Sequence, residues 1–226
     1  MRKDTMGKAI DLGFCSLIFS SEDSNIDYEK ELIVKAYNFN KNFAKIEIPK
    51  FEIKIVTSRS EFENIWGSNT PDYVSAFAKD DNIVIFSYGI FVKETKWSKE
   101  KFEEALIHEI NHLFYQELRD DEYDPLWLSE GLATFMQHKK KKHPYKKQLK
   151  ITKEILNQSF EEMSEDSYQI FTLFVEFLIL SYGEKRILQF IEELKEGKNI
   201  DLVFKEIYKK SFEELIEDGN RYHKIT

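Results

Sequence analysis

His108-Glu109-Ile110-Asn111-His112, followed by Trp127-Leu128-Ser129-Glu130-Gly131-Leu132-Ala133, decides the reading of this chain. The first run has the form His-Glu-x-x-His. It lies in a segment where Phe102, Ala105, Leu106, Ile110, Leu113 and Phe114 keep helical phase through Leu118. Histidines four apart on a helix project from one face, so both imidazoles reach a single metal ion. Glu109 is then held beside that metal, where a carboxylate takes a proton from a bound water. Glu130, in a second helix-like run, is the favoured third ligand. Two histidines, one carboxylate and an open fourth position describe a catalytic Zn2+ site rather than a structural one.

Other acids compete for the third position. Glu117 is on the same helix as the histidines but more than a turn past His112, too far along the axis to share their metal. Asp120, Asp121, Glu122 and Asp124 read more simply as a solvated loop carrying a helix N-cap. Glu130 sits where an antiparallel second helix crosses the first, and Gly131 lacks the side chain that would keep the backbones apart.

Composition narrows the classes. With 226 residues, 42% hydrophobic and 33% charged, the chain has enough apolar material for a sizeable core and argues against disorder. A net charge of −8 gives no general reason to expect nucleic acid as a partner. Cys15 is the single cysteine, so any metal is held by histidine and carboxylate. No segment approaches the ~20 apolar residues of a membrane span. Arg2, Lys3 and Lys8 before the apolar residues 12–19 loosely imitate a secretory leader, but Asp11 and the lack of a clean cleavage site favour a buried strand. The expected location is therefore cytoplasmic, with secretion the alternative if residues 1–20 act as a leader.

The expected organisation is one α+β domain, mainly α/β over residues 1–97 and helical over 98–226. Residues 28–43 carry apolar side chains at helical spacing, and residues 51–56 alternate as a strand. Ser60-Glu61-Phe62-Glu63 resembles a capping box opening a short helix that ends near Gly67. Strands are expected over 73–78 and 82–87, joined as a hairpin across Lys79-Asp80-Asp81. Ser98 suits the N-cap of the motif helix, and Asp124-Pro125 the N-cap and first position of the next. From residue 145 onward the pattern is helical, with Ser164 and Ser211 as caps and Gly183 and Gly197 as stops.

Glu130 stands eighteen positions after His112, inside Trp-Leu-Ser-Glu-Gly-Leu-Ala. In this the chain resembles the gluzincin metallopeptidases, above all the compact peptidase MA-like group, whose catalytic core is shared with the M1 aminopeptidases. The resemblance covers residues from about 51 to the C-terminus. It implies a zincin-like fold: a small mixed sheet with the active-site helix, then an all-helical C-terminal lobe. It implies His108, His112 and Glu130 as ligands of one Zn2+ and Glu109 as catalytic base. It also implies that the strand at 82–87 is the active-site edge strand, along which an extended peptide pairs. Such enzymes set a tyrosine or histidine opposite the zinc to stabilise the oxyanion. Tyr168 occupies the corresponding place, near the start of a helix that runs to Tyr182. The two lie about 21 Å apart along that helix, so at most one serves. Tyr168 is the favoured one, the alternative being a ring that only packs.

Two departures matter. The Gly-x-Met-Glu-Asn motif, whose glutamate grips a free amine in the M1 enzymes, is missing, and Ser75-Ala76-Phe77-Ala78 precedes the strand instead. Endopeptidase action is therefore favoured over aminopeptidase action. The acid that usually orients a histidine, four residues after the third ligand, is replaced by Thr134, which leaves Thr134 or a backbone carbonyl to take that role. The expected activity is zinc-dependent hydrolysis of a peptide or protein substrate. The alternatives are a zincin-fold binding or scaffold protein with little or no hydrolysis, and a nucleic-acid module using the lysines from 139 to 142 with His143, Lys146 and Lys147. That basic run reads better as a solvated linker. His138, His143 and His223 lack ligand spacing and read as surface residues.

Overall fold

The computed structural model describes residues 7–20, 25–72, 74–79, 82–95, 97–119, 124–139 and 149–224. In chain order the elements are β1 (Lys8–Asp11), β2 (Cys15–Phe19), α1 (Ile26–Ala44), β3 (Phe51–Val56), α2 (Arg59–Trp66), β4 (Ala76–Lys79), β5 (Asn82–Phe86), α3 (Tyr88–Thr95), α4 (Lys99–Arg119), α5 (Leu126–His138), α6 (Lys153–Leu156), α7 (Glu165–Tyr182), α8 (Glu184–Glu193), α9 (Ile200–Tyr208) and α10 (Phe212–Tyr222). Strands early and helices late make it α+β, as the sequence implies. The chain divides into two compact units, Met1–Leu113 and Phe114–Thr226, and the division falls inside α4.

The first unit is built on a five-stranded mixed sheet in the order β1-β2-β3-β5-β4. β2, β3 and β5 are parallel, and β1 and β4 are antiparallel edges. The period-2 pattern of β3 puts Phe51, Ile53 and Ile55 on one face, in register with Ile83 and Ile85 of β5. Leu17 of β2 joins that face opposite Ile53. Tyr37 of α1 stacks on Phe14 at 3.9 Å and lies 6.3 Å from Phe51. On the other face, Phe62 of α2 packs against Phe77 and Phe86 at 5.0 and 4.7 Å.

The sheet order corrects one expectation. The strand at 82–87 is no edge: β5 pairs with β3 through Ile53 and Ile83, and with β4 through Phe77 and Val84. Among the described residues the edge strand on that side is β4. Composition gives the reason, because β5 buries Ile83, Val84, Ile85 and Phe86 on both of its faces, whereas β4 buries only Phe77. The antiparallel β4–β5 pairing does match the expected hairpin; residues 80–81 of its turn lie outside the described residues.

Two caps also move. The cap of α2 is Ser58 rather than Ser60: its hydroxyl accepts from the Glu61 N–H at 3.2 Å, while the Glu61 carboxylate accepts from the Thr57 N–H at 3.3 Å. α5 is capped by Pro125, extended at φ −78°, ψ 142°, rather than by Asp124. The Asp124 carbonyl instead accepts from Tyr115 Oη and from Nε and Nη2 of Arg119, at 3.0–3.2 Å. β1 and α3 escape the sequence reading. β1 is a short, mostly exposed edge. α3 opens where the Tyr88 N–H donates to the buried Glu29 carboxylate, 59 residues away in sequence.

In the second unit α7 is buried almost all round, from Ile170 to Ile179, and is therefore a central rather than an amphipathic helix. Trp127 of α5 stacks with Phe204 and Phe212 at 6.1 and 6.2 Å and meets Phe174 at 5.0 Å. Ser164 and Ser211 cap α7 and α10 as expected, each in a capping box; the spacing predicts the one with Glu214 at α10, and Ser167 closes the one at α7. Asn220 of α10 holds the backbone of Ile151 by both its N–H and its carbonyl, each at 2.9 Å. Among the described residues no helix is long and apolar enough to cross a membrane.

Candidate metal centre

α4 holds both histidines of the motif. Its apolar stripe, Phe102, Leu106, Ile110, Leu113 and Phe114, is buried, which fixes the helix in the core and leaves His108 and Glu109 half-buried and His112 buried. The two Nε2 atoms stand 3.2 Å apart. Tetrahedral Zn2+ with bonds of about 2.0–2.1 Å to nitrogen would hold them about 3.3 Å apart, a spacing that the pair matches. A hydrogen bond between the rings would have a similar length. One ligand atom each from His108, His112 and Glu130 all lie within 4.8 Å of one another, a group that could hold a metal ion. Two imidazoles and a carboxylate suit Zn2+ in their donor chemistry as well as their spacing.

Glu130 is half-buried on α5. Two contacts within the second unit set that helix. At its start, Arg119 and Tyr115, on the last turns of α4, grip the carbonyl of Asp124 just before the cap. In its middle, Gly131 lies so close to α7 that a Cβ there would meet the Phe171 carbonyl oxygen at 2.7 Å and Val175 Cγ2 at 2.8 Å. Of the competing acids, Glu117 and Asp124 are exposed, and residues 120–122 lie outside the described residues.

Tyr168 is half-buried on the first turns of α7, its carbonyl accepting from the Thr172 hydroxyl at 2.7 Å. The Tyr182 ring is engaged with Phe177 and Tyr208, at 5.9 and 5.1 Å, inside the aromatic cluster of the second unit. His223 is not the surface residue its isolation in sequence suggests. It is half-buried, with Nε2 2.9 Å from the Leu173 carbonyl, and burial holds its pKa below the usual 6.5 against that hydrogen bond. Residues 140–148, most of the basic run with His143, lie outside the described residues, while Lys139 pairs with Glu184 at 2.6 Å.

A pair of residues that the motif reading passes over stands behind α4. Asn40 of α1 is wholly buried, and Asn111, inside His-Glu-x-x-His, is 2% exposed. Asn40 Nδ2 donates to the carbonyls of Ala36 and Ile107 at 3.1 and 3.0 Å, and Asn111 Nδ2 donates to Asn40 Oδ1 at 2.8 Å. The available signal was two asparagines on otherwise apolar helix faces, in phase with Ala36, Tyr37 and Phe43 and with Ile107 and Phe114.

A motif helix with a converging carboxylate defines the metallopeptidase-like class. Within it, a family model described as Peptidase MA superfamily matches residues 69–222, more than half of the chain, and the chain belongs to that superfamily. No curated protein matches the chain.

Proposed function

We propose that this protein is a zinc-dependent peptidase of zincin-like fold, in which His108, His112 and Glu130 hold one Zn2+ and Glu109 is the general base. One observation carries the reading: the donor atoms of these three residues converge within 4.8 Å in a chain of the Peptidase MA superfamily. When bound, the ion supplies Lewis acidity toward the scissile carbonyl and toward water. Glu109, next to His108 in sequence, accepts the proton of the attacking water and passes it to the leaving amine. The phenol of Tyr168 donates to the oxyanion. The outer edge of β4, beside which no further strand lies among the described residues, offers main-chain donors and acceptors to an extended peptide, which selects for unfolded or loop segments. The core resembles that of the M1 enzymes without their amine-gripping glutamate, and so endopeptidase cleavage is favoured.

The test is metal content. Protein dialysed against buffer with trace zinc and analysed by elemental mass spectrometry should carry one zinc per chain, and His108→Ala and Glu130→Ala should each lower that sharply. Unchanged zinc in either variant removes that residue from the ligand set.

A further inference from the structure

We infer that Asn40 is a positioning residue of the metal centre: with Asn111 it fixes the rotation of α4 about its own axis. The inference rests on the proposed metal site and goes beyond its ligands. Ile107 and Asn111 each immediately precede a histidine of the motif, and Asn40 grips both of them. Residues 107 and 111 share one azimuth on the helix, and 108 and 112 share another about 100° further round. Holding the first pair at one setting therefore sets the second. A side-chain nitrogen ~6 Å from the axis moves ~1 Å for each 10° of helix rotation, enough to spoil a ligand set.

The amide of Asn40 has one workable orientation. Two of its neighbours are carbonyl oxygens, so Nδ2 must face them and Oδ1 must face the amide of Asn111. Both donors and the acceptor of Asn40 are thereby used, in a setting with no exposure to water. A greasy contact between α1 and α4 would tolerate small rotations, because apolar packing has no directional preference. A directional pair at this point removes that freedom, as a single buried asparagine fixes register in a coiled coil. Holding the whole helix is one way of holding its ligands.

The test separates positioning from stability. Asn40→Leu and Asn111→Leu singly strand a buried amide and should lower both thermal stability and zinc affinity. The double variant Asn40→Leu/Asn111→Leu removes both amides together, and the backbone carbonyls of Ala36 and Ile107 keep their helical partners, so its melting temperature should recover toward the parent's. Its zinc affinity, read by competition with a fluorescent chelator, should stay about tenfold or more below the parent's. A double variant with parental affinity as well as parental stability overturns the inference and leaves the metal site standing. If the double variant fails to fold, Asn40→Ala decides, since it removes both contacts to Ile107 and Asn111: parental zinc affinity in that variant overturns the inference too. A parent chain that binds no zinc overturns the site itself, and the inference with it.

Discussion

At the scale of single residues the account turns on Glu109. It carries no ligand role in the proposed site, so Glu109→Gln should keep the parental zinc content while turnover falls by about 10²–10⁴-fold, the range for removing a general base. Retained peptide hydrolysis in that variant would contradict the mechanism. The histidines and Glu109 were legible in the chain because their chemistry is written in four-residue spacing on a strongly phased helix. Asn40 and Asn111 were not, because the bond that gives them meaning joins positions 71 residues apart. The same limit applied to His223, whose partner Leu173 lies 50 residues earlier.

Between elements, the close approach of α5 to α7 at Gly131 governs where Glu130 stands. Gly131→Ala puts a methyl group against the Phe171 carbonyl oxygen and Val175 of the central helix, and the backbone carbonyl cannot rotate away. The variant should lose about 1–3 kcal/mol by thermal denaturation, the usual cost of overpacking, and its zinc affinity should fall as α5 is pushed out. Unchanged stability and affinity would show that the helices separate at no cost. At this scale the sequence was a good guide to helices with strong caps: Ser164 and Ser211 stand where their patterns put them. It was a poorer guide to α2, where Ser58 and Ser60 each stand three residues before a glutamate and the helix starts from Ser58, and to α3, whose start depends on Glu29. Sheet order is a matter of distant pairing: the β4–β5 hairpin is local and legible, whereas the parallel pairing of β5 with β3, which makes 82–86 an interior strand, is not written in either segment.

For the molecule as a whole, two half-buried ionisable groups in the second unit, His223 and Glu176, give stability a readable pH dependence. Burial penalises the charged form of His223, so the unfolded chain takes up a proton that the folded chain resists. Its contribution is complete above the ordinary pKa of 6.5 and is lost as the pH falls from there toward the depressed folded value. His223→Gln should therefore flatten the decline in melting temperature of metal-free protein between about pH 7 and about pH 5.5; an identical decline in both would contradict the assignment. Glu176 on α7 works in the opposite sense, since burial raises its pKa and the charged carboxylate is a liability at neutral pH. Glu176→Gln should melt higher than the parent near pH 7, and a lower midpoint would mean that the carboxylate has a partner worth more than its burial costs. The central claim, that the converging histidines and glutamate make a zinc peptidase, is tested most directly by one measurement: mass-spectrometric mapping of new termini in a diverse peptide mixture incubated with the zinc-loaded protein. The account predicts internal cleavages that disappear with a zinc chelator and return when zinc is restored. Zinc-loaded protein that generates no new termini, or termini that persist through chelation, would contradict it.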